Sequence, residues 1–593
     1  MANSVAELVF IPVPGAGHIM STVEMAKVLV NHDQRLSITV LLIHPPYSSF
    51  SLTTYMNSLA KKAIERISFI ELPQDETPPK LDPKAPMTSF YEFINSHSKH
   101  VRNVVADMIS RPDSNPVVGF VLDIFCTGMI DVANEFHVPS YVFLTSNAAF
   151  FGFKLYIENL VVQNQDVFEL SNSDGEMLIP TFQKPVPTKV FPVVYQTQEG
   201  LDFLMHSVRK MREAKAIMVN TFLELETHAV KSLSCDSSFP PVYPVGPILN
   251  LDGIAGKDKD SDVIRWLDDQ PPSSVVFLCF GSMGCFEEVQ VKEIAYALEQ
   301  SGYRFVWSLR RPSQLGKSFE VLPGDYEDPG VVLPDGFLER TNETGKVIGW
   351  APQVSLLAHE AVGGFVSHCG WNSILESLWF GVPTATWPMY AEQQMNAFEM
   401  VVELGLAVEI KLDYKNNVFN PGDDMAIIMA KEVESGIRRV MEDNELREKV
   451  KEMSKMSRAA VTEGGSSFSS IGCLIWNETP STASFRRISS CTISSPPIRT
   501  KITATLSIEL DAHIGERDVA NGVRIIERCL SPFSKSDRSP YLCAYIPLFR
   551  SRFTGNHMIP DPITLTAAAI ESHIIAESRQ TFLPPPLVSI YCE

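Results

Sequence analysis

The segment from Trp350 to Gln393 combines polar side chains and aromatic rings in a pattern that could bind a phosphorylated ligand. Two glycines followed by apolar residues predict a buried strand over Gly363–Ser367, and the next residues predict a helix over Trp371–Phe380. Asn372 and Ser373 would then lie in the first helical turn, where free backbone N–H groups and the positive end of the helix dipole favour an anion. This pattern predicts a pyrophosphate site at the start of the helix.

Neighbouring side chains could bind the rest of a nucleotide. Glu376 lies four residues after Asn372 and shares its helix face, one turn deeper, where its carboxylate could accept hydrogen bonds from a ribose. Trp350 offers a flat ring on which a base could stack, and Gln353 could reach the ribose. Two further side chains follow the next predicted strand, Val382–Trp387, and could bind sugar hydroxyls: Glu392 and Gln393.

Each of these residues also has an ordinary structural explanation. A lone glutamate such as Glu376 usually lies on a solvated helix face. The tryptophans of the segment are, as a type, more often core residues than stacking platforms: Trp350, Trp371 and Trp387. A metal site is a weaker alternative, because no second Cys or His near His368 and Cys369 completes the spacing of a zinc site.

Taken in order, the segment resembles the nucleotide-sugar box of plant family 1 UDP-dependent glycosyltransferases. The resemblance implies that the UDP-sugar donor is bound by Trp350, Ala351, Gln353, His368, Gly370, Trp371, Asn372, Ser373, Glu376, Tyr390, Glu392 and Gln393. It also implies donor contacts from residues that follow predicted strands elsewhere: Gly17, Thr145 and Ser282. In this family a glutamine at the position of Gln393 accompanies glucose, so the expected donor is UDP-glucose, with no metal and no other cofactor.

A second candidate site lies in the first half of the chain. His18 follows the predicted strand Leu8–Val13, and Asp123 ends the predicted strand Val117–Leu122. Ligands of open α/β sheets bind outside the carboxyl ends of the strands, so both side chains are expected at the same edge. There a histidine and a carboxylate could act as a general base and the group that orients it. Asp123 alone could equally be a helix N-cap.

The glycines before His18 do not form a dinucleotide fingerprint. Met20 stands three residues after Gly17 where that fingerprint needs a small residue, and the second strand ends without an acidic residue. The resemblance implies instead that His18 is the general base and that Asp123 activates it. One departure is Ser21, which stands where many family members have a proline and is expected to lie away from the chemistry.

Composition excludes several classes of protein. The chain has 593 residues, of which 45% are hydrophobic and 20% charged, and its formal net charge is −20 at pH 7. That charge argues against nucleic acids and anionic membranes as partners. No basic signal region or membrane-length apolar run is apparent, and scattered cysteines such as Cys126, Cys279 and Cys369 suit buried thiols in a reducing compartment. A monomeric, cytoplasmic protein is expected.

Strands alternate with helices through two successive series, which predicts an α/β protein with parallel sheets covered on both faces. The predicted architecture is two facing, doubly wound Rossmann-like domains, and the family that the chain resembles has this arrangement, called GT-B. We predict an acceptor-binding domain over residues 1–245, a linker over 246–261, a UDP-sugar-binding domain with a terminal helix over 262–476, and a disordered or spurious extension outside the family over 477–593.

The resemblance implies an inverting transfer in which His18 removes a proton from an acceptor hydroxyl as UDP leaves. The acceptor pocket is expected in the first domain, around Phe90, Phe93, Phe125, Phe150, Phe151, Leu201 and Leu204, although these residues would suit core packing equally well. They favour a flat apolar acceptor such as a phenolic, flavonoid or terpenoid. Two alternatives stay open: a non-catalytic nucleotide-sugar-binding protein, and a sugar-nucleotide epimerase of related architecture.

Overall fold

A computed structural model describes residues 6–46, 50–61, 63–82, 84–171, 174–252, 261–312, 323–415 and 426–475. The predicted extension over residues 477–593 and the central part of the predicted linker, residues 253–260, lie outside the described residues. Among the helices of the described ranges, none is long and apolar enough to cross a membrane.

The first half of the chain forms a seven-stranded parallel sheet. Its strand order is β3-β2-β1-β4-β5-β8-β9, and a separate short hairpin contains β6 and β7. The strands are β1 Ala6–Ile11, β2 Leu36–Leu42, β3 Ile67–Glu71, β4 Val117–Asp123, β5 Ser140–Leu144, β6 Glu176–Met177, β7 Val186–Pro187, β8 Ala216–Val219 and β9 Val242–Pro244. The helices are α1 Ala16–His32, α2 Phe50–Lys61, α3 Pro86–Ser96, α4 Ser98–Ser110, α5 Ile130–Glu135, α6 Ala148–Val162, α7 Val167–Ser171, α8 Gln198–Met211 and α9 Thr227–Ser234.

The second half forms a six-stranded parallel sheet in the order β14-β11-β10-β15-β16-β17. The strands of this half, including the short pair β12 and β13, are β10 Val275–Cys279, β11 Arg304–Ser308, β12 Arg310–Arg311, β13 Gly324–Asp325, β14 Gly345–Ile348, β15 Val362–Ser367, β16 Thr384–Thr386 and β17 Ala407–Glu409. The helices are α10 Asp262–Asp268, α11 Glu288–Ser301, α12 Phe337–Arg340, α13 Gln353–Leu357, α14 Trp371–Phe380, α15 Gln393–Phe398, α16 Ala430–Glu442, α17 Asn444–Ala460 and α18 Ser466–Ile475.

The two parallel α/β sheets confirm the predicted fold class of two Rossmann-like domains. Three strands of the two parallel sheets were not predicted from sequence, namely β3, β9 and β17, and neither were the short pairs β6–β7 and β12–β13. Of these, β9 lies directly before the predicted linker, in a segment that contains Pro244 and Pro247. It is an edge strand, and an edge strand can include Pro244 because proline's missing N–H costs least there.

The last described helix, α18, places its apolar side against the first domain. Its residues Ile471, Cys473 and Leu474 join an apolar cluster with residues of the first sheet and α1, including Leu8 and Val23. The ring of Phe468 in the same helix lies 4.4 Å from the ring of His32, measured between centroids. The predicted 262–476 segment therefore includes a helix whose contacts are with the other domain.

A buried acidic pair joins the two domains. The side-chain amide of Asn147, just before α6, donates a hydrogen bond of 2.6 Å to Glu399 in the second half of the chain. Glu226 in the first half accepts hydrogen bonds from the backbone N–H groups of Ala148 and Ala149, at 3.0 and 2.7 Å. The carboxyl groups of Glu226 and Glu399 also hydrogen-bond to each other, which requires that one of them carries a proton.

Both carboxyl groups hold protons more tightly than an exposed glutamate does. Burial, followed by the charge of Glu226, raises the pKa of Glu399 well above its ordinary value, and burial also raises the pKa of Glu226. Half-buried Glu403 adds further negative charge near Glu399. A carboxyl whose pKa is raised on folding stabilises the folded state at low pH, and this contribution is lost as the pH rises through the folded-state pKa.

We therefore expect Glu399→Gln to flatten the pH dependence of stability above the ordinary pKa of a glutamate, 4.5. The amide mimics a protonated carboxyl, so it can donate to Glu226 and accept from Asn147 at any pH. The melting temperature of the wild type should fall more between pH 5 and pH 9 than that of the variant, as measured by circular dichroism. Glu343→Gln, at an exposed position, is the matched control and should follow the wild type. Equal slopes for wild type and Glu399→Gln would contradict a shared proton.

Candidate functional site

Both predicted sites lie where the strand order of a parallel sheet reverses. In the first sheet, β1 is hydrogen-bonded to β2 on one side and to β4 on the other, with Ile11 opposite Leu122. The connections that leave neighbouring strands at such a point run to opposite sides and open a crevice. His18, at the start of α1, and Asp123, the last residue of β4, therefore lie at the same opening.

His18 and Asp123 form a close hydrogen-bonded pair. His18 Nδ1 lies 2.6 Å from Asp123 Oδ2, and the other carboxylate oxygen accepts a hydrogen bond of 3.0 Å from the backbone N–H of Phe125. Asp123 thus does both things that the sequence allowed, since it caps the turn after β4 and also orients the imidazole. Its side chain is 1% exposed, whereas that of His18 is 33% exposed, so the imidazole can meet a ligand.

The surroundings of His18 favour a protonated ring more than water does. Burial alone would lower the pKa of His18, but the charge of Asp123, the hydrogen bond to it and the charge of Glu392 outweigh burial and raise the pKa above 6.5. Thr145 Oγ1 lies 3.3 Å from His18 Nδ1, so this predicted donor residue contacts the histidine. With Nδ1 turned towards Asp123 and Thr145, the opposite ring nitrogen, Nε2, is the one that can exchange a proton with a ligand.

The second site occupies the reversal point of the second sheet, between β10 and β15. His368 follows β15 and is 6% exposed. A Cβ atom at Gly281 or Gly370 would lie 2.5 Å from His368 Nε2, so both positions must be glycine for the ring to fit between them. Burial lowers the pKa of His368 to about 4, and the neutral ring can donate a hydrogen bond to an anion at pH 7.

The N-terminus of α14 has the free donors that the sequence predicted. Gly370 precedes the helix, and no side chain caps its first turn. Behind that turn, the side-chain amide of Gln353 donates to Ser373 Oγ at 2.9 Å and to Glu376 Oε2 at 2.6 Å. Burial raises the pKa of Glu376 to about 7, while the hydrogen bond from Gln353 acts in the opposite direction. Three predicted donor residues therefore form one hydrogen-bonded group.

The two sites touch each other through Asn372. Its amide donates a 3.3 Å hydrogen bond to the carbonyl of Gly17, the residue before His18, and its oxygen accepts one of 3.3 Å from the hydroxyl of Ser21. A Cβ atom at position 17 would lie 3.2 Å from the Asn372 amide nitrogen, so this approach favours glycine. Ser21 takes part in the contact between the domains, and its predicted position away from the chemistry stays a prediction.

The three tryptophans of the predicted donor segment have different roles. Trp350 is 47% exposed, and the guanidinium carbon of Arg310 lies 5.0 Å from its ring centroid. Trp387 is fully buried and belongs to the core. Trp371 is 2% exposed and donates from Nε1 to the carbonyl of Asn220 in the first domain, at 2.6 Å. The ring of Trp371 thus joins the domains while its backbone lies at the start of α14, and its predicted donor contact stays a prediction.

The loop before α15 brings the remaining predicted sugar-binding residues to the opening. Gln393 is 4% exposed, and its side-chain oxygen accepts hydrogen bonds of 3.0 Å from the backbone N–H groups of Met389 and Tyr390. Glu392 is half-buried, and its charge acts on His18, so it lies near that ring. The other predicted donor residues are partly exposed and follow the carboxyl ends of β10, β14 and β15, respectively: Ser282, Ala351 and Gly370.

An aromatic wall lies beside His18. The ring centroid of Phe125 is 6.1 Å from that of His18, and Phe125 also contacts Phe90 and Phe203, with centroids 5.6 and 5.3 Å away. The sequence analysis named Phe90 and Phe125 but missed Phe203, although Phe203 lies in α8 between two residues that it did name, Leu201 and Leu204.

The other residues predicted for the acceptor pocket are buried. Phe151 is fully buried and packs against Phe239 at 5.4 Å between centroids, so it belongs to the core and not to the wall beside His18. Phe93 packs against His97. Phe150 is 4% exposed and contacts Tyr195 at 6.3 Å between centroids.

The site offers hydrogen-bond donors for an anion and a general base, and the cysteines near its strands are buried. Cys126, Cys279 and Cys369 are free and buried, as the sequence predicted. Within the described ranges, no group of three or more His, Cys, Asp or Glu side chains could hold a metal ion.

Comparisons with known proteins agree with this geometry. Residues 230–460 match the family model described as UDP-glucoronosyl and UDP-glucosyl transferase. The chain is 52% identical to UDP-glucose flavonoid 3-O-glucosyltransferase 6 of Fragaria ananassa over 480 residues, which are 79% of this chain and 97% of the relative. The crystal structure of a transferase from Siraitia grosvenorii in complex with UDP matches with 46% identity and a TM-score of 0.68, covering 79% of this chain and 99% of that one.

A further solved structure, Medicago truncatula UGT71G1 complexed with UDP-glucose, matches with 41% identity and a TM-score of 0.69. It covers 80% of this chain and 99% of its own. Identity at this level over nearly the whole length of these relatives establishes the family. The chain is a member of the UDP-glycosyltransferase family, with the GT-B arrangement of two Rossmann-like domains.

Proposed function

We propose that this enzyme transfers glucose from UDP-glucose to a hydroxyl of a small apolar plant metabolite, a phenolic, flavonoid or terpenoid, with inversion at the anomeric carbon. The relative from Fragaria ananassa is named for UDP-glucose and a flavonoid, and the Medicago truncatula structure contains UDP-glucose. The observation that carries the proposal is the contact of Asn372, in the first turn of the donor helix, with the residue before His18.

His18 acts as the general base in this proposal. Asp123 holds Nδ1 at 2.6 Å, so Nε2 faces the acceptor hydroxyl and removes its proton as the oxygen attacks the anomeric carbon. The buried carboxylate then stabilises the imidazolium that forms. Attack from the His18 side while UDP leaves on the α14 side inverts the configuration, since the two groups act from opposite faces of the sugar.

The donor site stabilises the charge that grows on the departing diphosphate. The backbone N–H groups at the start of α14, the Ser373 hydroxyl and the neutral His368 ring supply donors that need no metal ion. Trp350 stacks on the uracil, and the hydrogen-bonded pair Gln353 and Glu376 binds the ribose. The sugar-side residues complete the proposed donor site: Glu392, Gln393 and Thr145.

The acceptor lies against the aromatic wall of Phe90, Phe125 and Phe203 beside His18. Flat rings pack well in edge-to-face and offset contacts with such a wall, which suits the proposed aromatic and terpenoid acceptors. A nucleotide-sugar-binding protein without catalysis and an epimerase are not favoured, because the relatives are transferases and the chain retains both His18 and Asp123.

We further propose the domain limits 1–245, 246–261 and 262–476, a cytoplasmic location and a monomeric active form. The buried free thiols support a reducing compartment. One chain supplies both the base and the donor helix, and this supports activity as a monomer. No anionic polymer partner is proposed, given the net charge of −20.

Substitution of the base and of its orienter should separate their roles. We expect His18→Ala to lower kcat by roughly two to four orders of magnitude while leaving the KM for UDP-glucose nearly unchanged. The active form of His18 is the neutral one, so wild-type kcat/KM should fall as the pH drops through a pKa above 6.5. Asp123→Asn removes the charge that raises this pKa and should both slow the reaction and move the acidic limb to lower pH.

The measurement is UDP release with a panel of flavonoid, phenolic and terpenoid acceptors between pH 5 and pH 9. His228→Ala, an exposed histidine on α9, is the control and should retain wild-type rates. Unchanged turnover by His18→Ala would show that another group is the base, and an unmoved acidic limb in Asp123→Asn would remove Asp123 from the pair.

Trp350 gives a test of the donor site alone. Base stacking on an aromatic ring is equally present in the ground state and the transition state, so Trp350→Ala should raise the KM for UDP-glucose roughly 5- to 100-fold with little change in kcat. Trp350→Phe keeps a ring and should have a smaller effect. Steady-state kinetics at a saturating acceptor concentration measure both constants. A fall in kcat with no change in KM would contradict stacking on the uracil.

A further inference from the structure

A buried lysine lies near the proposed acceptor site and has no role in the proposed mechanism. Lys154, on the largely apolar helix α6, is 6% exposed. Its ammonium nitrogen lies 4.6 Å from the ring centroid of Phe150, one turn earlier on the same helix. Within the described ranges, no carboxylate lies in ion-pair distance of this nitrogen, and no group accepts a hydrogen bond from it.

The charge of Lys154 acts on both halves of the site. Burial lowers the pKa of Lys154 to about 8, while the charges of Glu392 and Asp123 act in the opposite direction, so the ammonium is mostly protonated at pH 7. It also opposes the protonation of His18. The ammonium therefore lies near the proposed base and its orienter, and also near the proposed sugar-binding carboxylate.

The ring beside the ammonium belongs to an aromatic pair. Phe150 contacts Tyr195. Burial and then the charge of Glu392 raise the pKa of the Tyr195 hydroxyl, so this pair of rings lies near the same opening. Contact with the face of Phe150 holds the cation in place, but a ring supplies only part of the solvation that a buried cation loses. The structure thus contains a buried charge that a ligand could pair with.

The ligand group that pairs with the Lys154 ammonium is more consistent with a group of the acceptor than with a group of the donor. The diphosphate of the donor has its own site at the start of α14, on the second domain. Lys154 belongs to the first domain, on the same helix as Phe150 and close to Asp123 and His18. When the acceptor hydroxyl faces His18, a second substituent of the same acceptor is therefore the group that reaches Lys154.

We propose that Lys154 binds a carboxylate of the acceptor, so that the enzyme prefers aromatic hydroxy acids to their neutral esters. The inference rests on the proposed function and narrows its acceptor class. The glucosylated group is still a hydroxyl that His18 deprotonates. The carboxylate is a recognition group, and pairing with it compensates the buried ammonium and fixes the orientation of the aromatic ring.

The test compares Lys154→Met with wild type on a matched pair of acceptors, 4-hydroxycinnamate and its methyl ester, with UDP-glucose as donor. Methionine keeps the length and apolar stem of lysine but removes the charge. Hydrogen bonds to charged groups are strong, so kcat/KM for the acid should fall roughly 10- to 100-fold. The value for the ester should change by less than about 3-fold, and the KM for UDP-glucose should stay constant.

Two controls accompany this comparison. Lys231→Met, at an exposed position on α9, should keep the wild-type ratio of acid to ester. The melting temperature of Lys154→Met should be equal to or above that of wild type, since an unpaired buried charge has been removed; if this variant does not fold, Lys154→Gln takes its place with the same expectation.

The outcomes separate this inference from the proposed function. An unchanged acid-to-ester ratio in Lys154→Met, an equal loss on both acceptors, or a raised KM for UDP-glucose alone would overturn the role of Lys154 and leave the glucosyltransferase in place. If the wild type released no UDP from UDP-glucose with the acid, the ester or the neutral panel, the proposed function would fail and this inference with it.

Discussion

The hydrogen bond between His18 and Asp123 depends on one feature of the first sheet, the direct pairing of β1 with β4. The two residues are far apart in the chain, and they meet because each follows or ends a strand at the point where the strand order reverses. The same Asp123 carboxylate also caps the turn after β4. The buried Asp123 carboxylate therefore fixes the turn after β4 and the orientation of the imidazole. A shift of β1 or β4 would disturb both hydrogen bonds.

The second sheet repeats this arrangement, and polar contacts then hold the two openings together. His368 fits between Gly281 and Gly370 at the reversal point of that sheet, while Asn372 reaches Gly17 and Ser21 of the first domain. Away from the opening, Trp371 donates to a first-domain carbonyl, and the acidic pair of Glu226 and Glu399 is buried between the domains. Because buried polar groups tolerate little misalignment, these contacts specify the distance between the base and the donor helix more tightly than apolar packing does.

Much of this could be predicted from local sequence, and the exceptions share a physical cause. The strand, turn and helix from Gly363 to Phe380 have a clear apolar pattern and helix end signals, and they appear as predicted. The strand β9 was missed because proline argues against a strand unless the strand lies at an edge, which only the tertiary fold determines. The direction in which a ring points also depends on the tertiary fold. Local sequence does not distinguish Trp350 from Trp371, but Trp350 is exposed and Trp371 joins the domains.

Lys154 was missed for the same reason, because a lysine in an apolar helix is ordinarily expected at its solvated face. Its burial matters for selectivity in a way that the aromatic wall does not. Apolar contact discriminates weakly between molecules of similar shape, since a missing or added group changes the buried area only slightly. A buried charge discriminates strongly, because a ligand without a complementary group leaves the charge desolvated and unpaired, and this costs binding free energy. The wall of Phe90, Phe125 and Phe203 would therefore admit many flat acceptors, and in our proposal the choice among them depends on whether they pair with Lys154.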